Sequence, residues 1–183
     1  EGVGTMPHAL IQLFNGDLIQ ACEAYLATFP DDNLVALVDY NNDVIKDSLD
    51  VARHFGKKLY GVRVDTSANM VDQYFLRNQH EFGQYDLRGT NPRLIKLLRE
   101  HLDAEGFQHV KIIVSGGFDS SKIKRFEQEK TPVDSYGIGS NLLKVNIGFT
   151  GDCVKLNGQE QAKQARRYSF NPRLQPVRYL ATE

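Results

Sequence analysis

Apolar residues recur along most of the chain in two alternating rhythms: short unbroken runs of strand length, and longer stretches at helical spacing. Leu10, Ile11 and Phe14, then Leu18, Ile19, Cys22, Tyr25 and Leu26, predict a helix or helical hairpin after Thr5. Leu34 to Val38 is an apolar run that ends in Asp39, and Val44, Ile45, Leu49, Val51 and Ala52 return to helical spacing up to Gly56, a C-terminal cap. Leu59 to Arg63 predicts the next strand and Ala68 to Phe82 the next helix, with Asp65, Thr66 and Ser67 offering capping side chains between them. Asn91 and Pro92 read as N-cap and first helical residue of a helix through Leu102. A strand from Val110, a helix over Asp119 to Gln128, a short strand over Ser135 to Ile138 and a helical turn from Ser140 complete the series.

Strand-then-helix units in series predict parallel strands joined by crossover helices, hence an α/β fold. A doubly wound sheet and a β/α barrel both fit this alternation. The barrel is favoured because each unit places its polar residues just after the strand: Asp39, then Arg63 and Asp65, then Ser115 to Asp119, then Gly137 to Ser140. A barrel gathers all of these at one mouth, whereas an open sheet gathers only those beside its switch point. The expectation is a partial, irregular β/α barrel over residues 1–148. A hairpin and tail follow over 149–183, where Thr150 to Gly158 alternates and ends in an Asn-Gly turn. The tail holds Arg166, Arg167, Arg173 and Arg178 among aromatics and reads as a solvated surface or a packing arm. The opening residues Glu1 to Thr5 read as the end of a strand already under way, so a piece of a longer protein is expected.

Composition narrows the chemistry. With 183 residues, 41% hydrophobic, the chain can bury an ordinary core. A net charge of -1 without a basic block gives no reason to expect nucleic acid as the partner. No apolar run reaches membrane-spanning length, so no membrane is expected. Cys22 and Cys153 are far apart and outside any metal-ligand spacing, which favours a reduced, cytoplasmic protein.

Two strands end in glycine-rich turns flanked by small polar residues, Ser115-Gly116-Gly117-Phe118-Asp119 and Gly137-Ile138-Gly139-Ser140. Removing Cβ atoms there lets a ligand oxygen approach backbone N–H groups, so together the turns predict a phosphate site. The plainer reading of the first is a tight turn with Asp119 as N-cap. Arg63 lies inside an apolar strand and needs an anionic partner, either Asp65 in an internal ion pair or a bound phosphate. In the second case Asp65 is free for a ribose hydroxyl or magnesium. His8 by itself reads as a surface or capping residue, and His54, His80, His101 and His109 carry no assignment.

Thr5-Met6-Pro7-His8, Arg63-Val64-Asp65, Asn91-Pro92-Arg93-Leu94, Ser115 to Asp119 and Tyr136 to Ser140 occur in one order, spanning Gly4 to about Arg173. That order resembles the nicotinate phosphoribosyltransferase family, in its C-terminal, barrel-containing part. The resemblance implies the irregular barrel of type II phosphoribosyltransferases, and a reaction that joins nicotinate to phosphoribosyl pyrophosphate with ATP hydrolysis. It implies that His8 is the residue ATP phosphorylates, that Arg63 and Asp65 contact substrate and ribose, and that Ser115, Gly116, Gly117 and Asp119 bind the donor. Gly137, Gly139 and Ser140 would cradle its 5′-phosphate, with Mg2+ balancing charge. A homodimer is also implied, with an aromatic residue from a preceding segment stacking on the base. The resemblance also places Asp39 among the substrate-binding residues, although many members continue Thr-Tyr-Asp after it where this chain has Tyr40-Asn41-Asn42-Asp43.

Overall fold

In a computed structural model of the chain, residues 5–78, 82–83, 85–144 and 146–175 are described. The opening strand end at Glu1 to Gly4, the end of the helix expected up to Phe82 at residues 79–81, and Arg178 lie outside the described residues. Two compact units divide the chain, Glu1–Val145 and Asn146–Glu183.

The first unit runs α1 (His8–Leu13), α2 (Leu18–Thr28), β1 (Leu34–Leu37), α3 (Val44–Phe55), β2 (Leu59–Val64), α4 (Gln73–Arg77), α5 (Pro92–Ala104), β3 (Lys111–Val114), α6 (Ser120–Gln128), β4 (Ser135–Tyr136) and α7 (Ser140–Leu143). The strands form one parallel sheet in the order β1-β2-β3-β4. Strand order therefore rises with chain order, as in a sector of a β/α barrel and without the reversal of a doubly wound sheet.

Period-two alternation gives the sheet two different faces. Ala36, Val62, Val64, Ile112 and Val114 are fully buried in the core with α3 and α5, whose stripes Val44, Ile45, Val51, Ala52 and Leu94, Ile95, Leu98, Leu102 are buried too. Register aligns Leu37, Arg63, Ile113 and Ser135 on the opposite face. That face borders an open cavity of about 410 Å³ lined by Val35, Arg63, Ile113, Ser115 and Gly137 among others. One face is thus the core and the other is where polar groups can meet a ligand.

Helix starts follow the sequence closely, because short polar side chains satisfy the free N–H groups there. Asp17 accepts from Gln20 N at 3.0 Å, Asn91 from Leu94 N at 3.0 Å, and Asp119 from Lys122 N at 2.8 Å. The helix expected over Ala68 to Phe82 is the exception: only Gln73–Arg77 is helical within it. Val71 pairs with Arg88 in an antiparallel bridge, and Gly89 N donates to Met70 O at 2.7 Å, which holds this stretch extended. The capping group is Asp72, not Asp65, Thr66 or Ser67; it accepts from Tyr74 N at 2.8 Å and from Val44 N at 2.9 Å, tying the starts of α4 and α3 together.

The second unit holds a small antiparallel hairpin, β5 (Lys155–Leu156) and β6 (Gln159–Glu160). Its turn residues Asn157 and Gly158 have φ of 50° and 81°, the left-handed pair that a two-residue hairpin requires. Lys155 lies over the Tyr168 ring at 3.7 Å from its centroid, and Arg166 pairs with Asp152 at 2.7 Å.

Candidate functional site

The glycine turns after β3 and β4 open onto one cleft of about 430 Å³, lined by Arg63, Asp65, Ser115 to Phe118 and Gly137 to Asn141. This is the convergence that the barrel expectation requires. Ser115 N donates to Val64 O at 2.9 Å and Gly137 N to Val114 O at 2.7 Å, so the strand ladder carries both turns out at the same end. Asn141 Nδ2 then donates to Phe118 O at 2.7 Å and joins one turn to the other.

Close approach explains the glycines. Gly116 has φ of 90°, and a Cβ there would lie 3.1 Å from Asp65 Oδ1. At Gly137 an added Cβ would come within 3.0 Å of Ser115 Cβ, so the two turns could not sit so near each other. What these turns present is backbone: among the described residues, the N–H groups of Gly116, Gly117, Ile138, Gly139 and Ser140 donate to no protein acceptor. Unpaired amides converging on a cleft form a concave donor surface suited to anionic oxygens.

Side chains complete the rim. Ser115 Oγ donates to Asp65 Oδ1 at 2.9 Å, and Asp65 makes no ion pair with Arg63. Arg63 instead donates through its Nη2 to Met6 O at 3.1 Å, while its Nε is buried without a partner among the described residues. The internal Arg63–Asp65 pair considered from the sequence is therefore not formed. An arginine satisfied by one carbonyl, bordering both the cleft and the cavity on the inner sheet face, retains donors for a ligand.

His8 and Asp39 meet beside this cleft rather than in its lining. His8 Nε2 lies 3.1 Å from Asp39 Oδ1, linking the start of α1 to the end of β1. Asp39 is buried, and that burial raises its carboxyl above the ordinary value; the His8 contact opposes the rise and the nearby Asp65 charge adds to it. Asp39, whose role the sequence left in doubt, is thus the residue that orients His8. Asp119 is also outside the cleft lining, and its Oδ1 is engaged as the cap of α6.

Two contributors were missed by sequence reasoning. Asn141 follows Ser140 and carries no pattern of its own. Lys122 lies three residues after the Asp119 cap, one helical turn inside α6, and its Nζ donates to Gly116 O at 3.1 Å. That spacing is the signal that could have pointed to it.

No protein-family model matches the chain. The nicotinate phosphoribosyltransferase pncB2 of Mycobacterium tuberculosis, in two strains, is 29% identical over 140 residues, 76% of this chain and 26% of that protein. The crystal structure of nicotinate-nucleotide pyrophosphorylase from Pyrococcus furiosus matches with a TM-score of 0.69 and 31% identity, covering 91% of this chain and 38% of that one. The resemblance to nicotinate phosphoribosyltransferases holds. The chain spans about a quarter of the length of those mycobacterial relatives. Its likeness to the Pyrococcus structure supports the phosphoribosyltransferase-type fold over 91% of its length. Among the described residues, no helix is long and apolar enough to cross a membrane.

Proposed function

We propose that this chain carries the phosphoribosyl-donor site of a nicotinate phosphoribosyltransferase acting in NAD biosynthesis by salvage. The observation that carries this reading is the single cleft in which unpaired amides of both glycine turns meet Arg63 and Asp65. The amides of Gly137 to Ser140 would take the donor's 5′-phosphate, those of Gly116 and Gly117 a further anionic group, and Arg63 would balance charge. Asp65 and Ser115 would hold ribose hydroxyls.

In the reaction, the pyridine nitrogen of nicotinate forms a bond to the ribose anomeric carbon while the bond from that carbon to the pyrophosphate oxygen breaks. The transition state has oxocarbenium character, so fixing the donor and stabilising the leaving oxygens are the main tasks. No three His, Cys, Asp or Glu residues form a metal cluster among the described residues, but magnesium arriving with a pyrophosphate needs only one or two carboxylates. Asp65 fits that need, since Oδ1 is held by Ser115 and Oδ2 has no protein partner. The ion would neutralise the departing pyrophosphate.

For the ATP-coupled step, His8 is the phosphoryl acceptor in this reading. With Nε2 engaged by Asp39, Nδ1 is left to attack the γ-phosphorus; the phosphoryl group transfers to it and ADP departs. The phosphorylated and free states of His8 would couple to catalysis by holding the donor with different affinity. Recognition of the base would draw on residues outside this chain, in a homodimer whose partner completes the site.

Calorimetric titration tests the reading. Phosphoribosyl pyrophosphate should bind the chain more tightly than inorganic phosphate does; equal binding of both would favour a plain phosphate-binding fragment, and binding of neither would remove the proposal. Product formation with nicotinate, nicotinamide and quinolinate decides the base, with nicotinate expected.

A further inference from the structure

The Lys122 side chain is held in an unusual way for a lysine near a helix start. Its Nζ lies over the Phe118 ring, 4.2 Å from the ring centroid, and donates to Gly116 O at 3.1 Å. Lys122 is the sole protein donor to that carbonyl among the described residues, and it has no ion-pair partner there. Asp119 precedes it, Arg125 lies one turn on, and the Asp65 charge reaches it from the end of β2. Half-burial lowers its pKa, with Asp119 and Asp65 opposing that shift and Arg125 adding to it. The half-withdrawn ammonium gains the Phe118 ring face and one neutral carbonyl but no ion pair, and the ring alone gives no reason for the choice of that carbonyl.

Peptide planarity supplies it. The Gly116–Gly117 bond is trans, so the carbonyl of Gly116 and the N–H of Gly117 point in opposite directions. Glycines on both sides leave this peptide free to rotate, because neither has a Cβ to restrict it. A donor that fixes the carbonyl therefore also fixes where the following N–H points.

We propose that Lys122 is the positioning residue of the anion cradle: by holding the Gly116 carbonyl towards α6, it turns the Gly117 N–H into the cleft. This rests on the donor-site reading above. Lys122 acts through the turn and is not required to touch the ligand.

The test uses the 183-residue chain, inorganic pyrophosphate as the probe, and the variants Lys122→Met and Lys122→Arg. Met keeps an unbranched side chain of similar length and deletes the ammonium, and Arg restores a cation. In the ligand-free state, Lys122→Met should move the Gly117 amide resonance, and Lys122→Arg should restore it. Pyrophosphate affinity should fall about tenfold in the Met variant, with the arginine variant within about threefold of the parent. A second measurement needs no variant: the Lys122 ammonium should exchange its protons more slowly than the exposed lysines. An unmoved Gly117 amide, unchanged affinity in Lys122→Met, or free-lysine exchange at Lys122 each overturns the assignment. Pyrophosphate that fails to bind even the parent chain overturns the cradle reading itself, which is a separate outcome.

Discussion

Along β1 and β2 the site is bordered by side chains, His8 on Asp39 and Arg63 beside Asp65, whereas after β3 and β4 it is bordered by peptide groups from two glycine turns. The first half can be rewritten atom by atom, since each group ends in a replaceable head. The second half depends on where the chain runs, so any Cβ changes it. The contrast sets replaceable side-chain heads on and beside one end of the cleft and fixed peptide groups at the other. It also says how each half should fail.

Backbone failure should be the larger. Gly116→Val places a branched side chain at φ of 90° and 3.1 Å from Asp65 Oδ1. Such strain costs on the order of 1–3 kcal/mol of stability. Phosphoribosyl pyrophosphate binding should fall by at least about 100-fold, since the Gly116 and Gly117 amides and Asp65 are displaced together. Calorimetry and a thermal melt read the two effects, and donor binding within threefold of the parent would break the comparison.

Arg63→Met removes only one head group. Loss of a charge-assisted contact is worth roughly 1.5–3 kcal/mol, so donor affinity should drop about 10- to 100-fold. Stability should fall by only about 1 kcal/mol, because the Nη2 bond to Met6 O is lost while the Nε it deletes is already buried without a partner among the described residues. A large fall in melting temperature with unchanged donor binding would make Arg63 a structural residue.

Asp39→Asn should separate the two halves most cleanly. It weakens the hold on His8 and leaves both turns in place, so phosphorylation from labelled ATP should fall about tenfold, the value of one such contact. Donor affinity should stay within about twofold of the parent by the same reckoning. His8→Ala should abolish the label, and equal labelling in that variant would remove His8 from the mechanism.

Least tied to the cleft is the pH dependence of stability. Buried Asp39 binds its proton more tightly folded than unfolded, so stability should decline as pH rises through the window above its ordinary value. Asp47, away from the cleft and buried beside Asn41, behaves likewise, with burial pushing it from 3.8 to about 6. Asp47→Asn should therefore flatten up to about 3 kcal/mol of decline between pH 4 and 6. Adding Asp39→Asn should flatten it further, while Gly139→Ala, on the backbone side, should leave the slope unchanged. Chemical denaturation at several pH values reads this.

The strands and most helices were legible because hydrophobic rhythm and capping residues agree locally, as at Asn91-Pro92 and Asp119. The helix expected from Ala68 failed because its opening residues bond across the chain, through Val71 to Arg88 and Met70 to Gly89, and no local pattern records such a partner. The glycine turns were legible as turns, and their convergence followed from parallel topology. The pairings of Asp65 with Ser115 and of His8 with Asp39 were not, since 50 and 31 residues separate the partners. The capping role of Asp119 was legible too, and its Oδ1 fills it.

The central claim is that the two turns and Arg63 form one donor site. An amide-resolved titration of the chain with phosphoribosyl pyrophosphate tests it most directly. The account predicts saturable shifts concentrated at Gly116, Gly117, Ile138, Gly139 and Ser140, with one dissociation constant for both turns. Shifts confined to one turn, or gathered elsewhere on the chain, would contradict it.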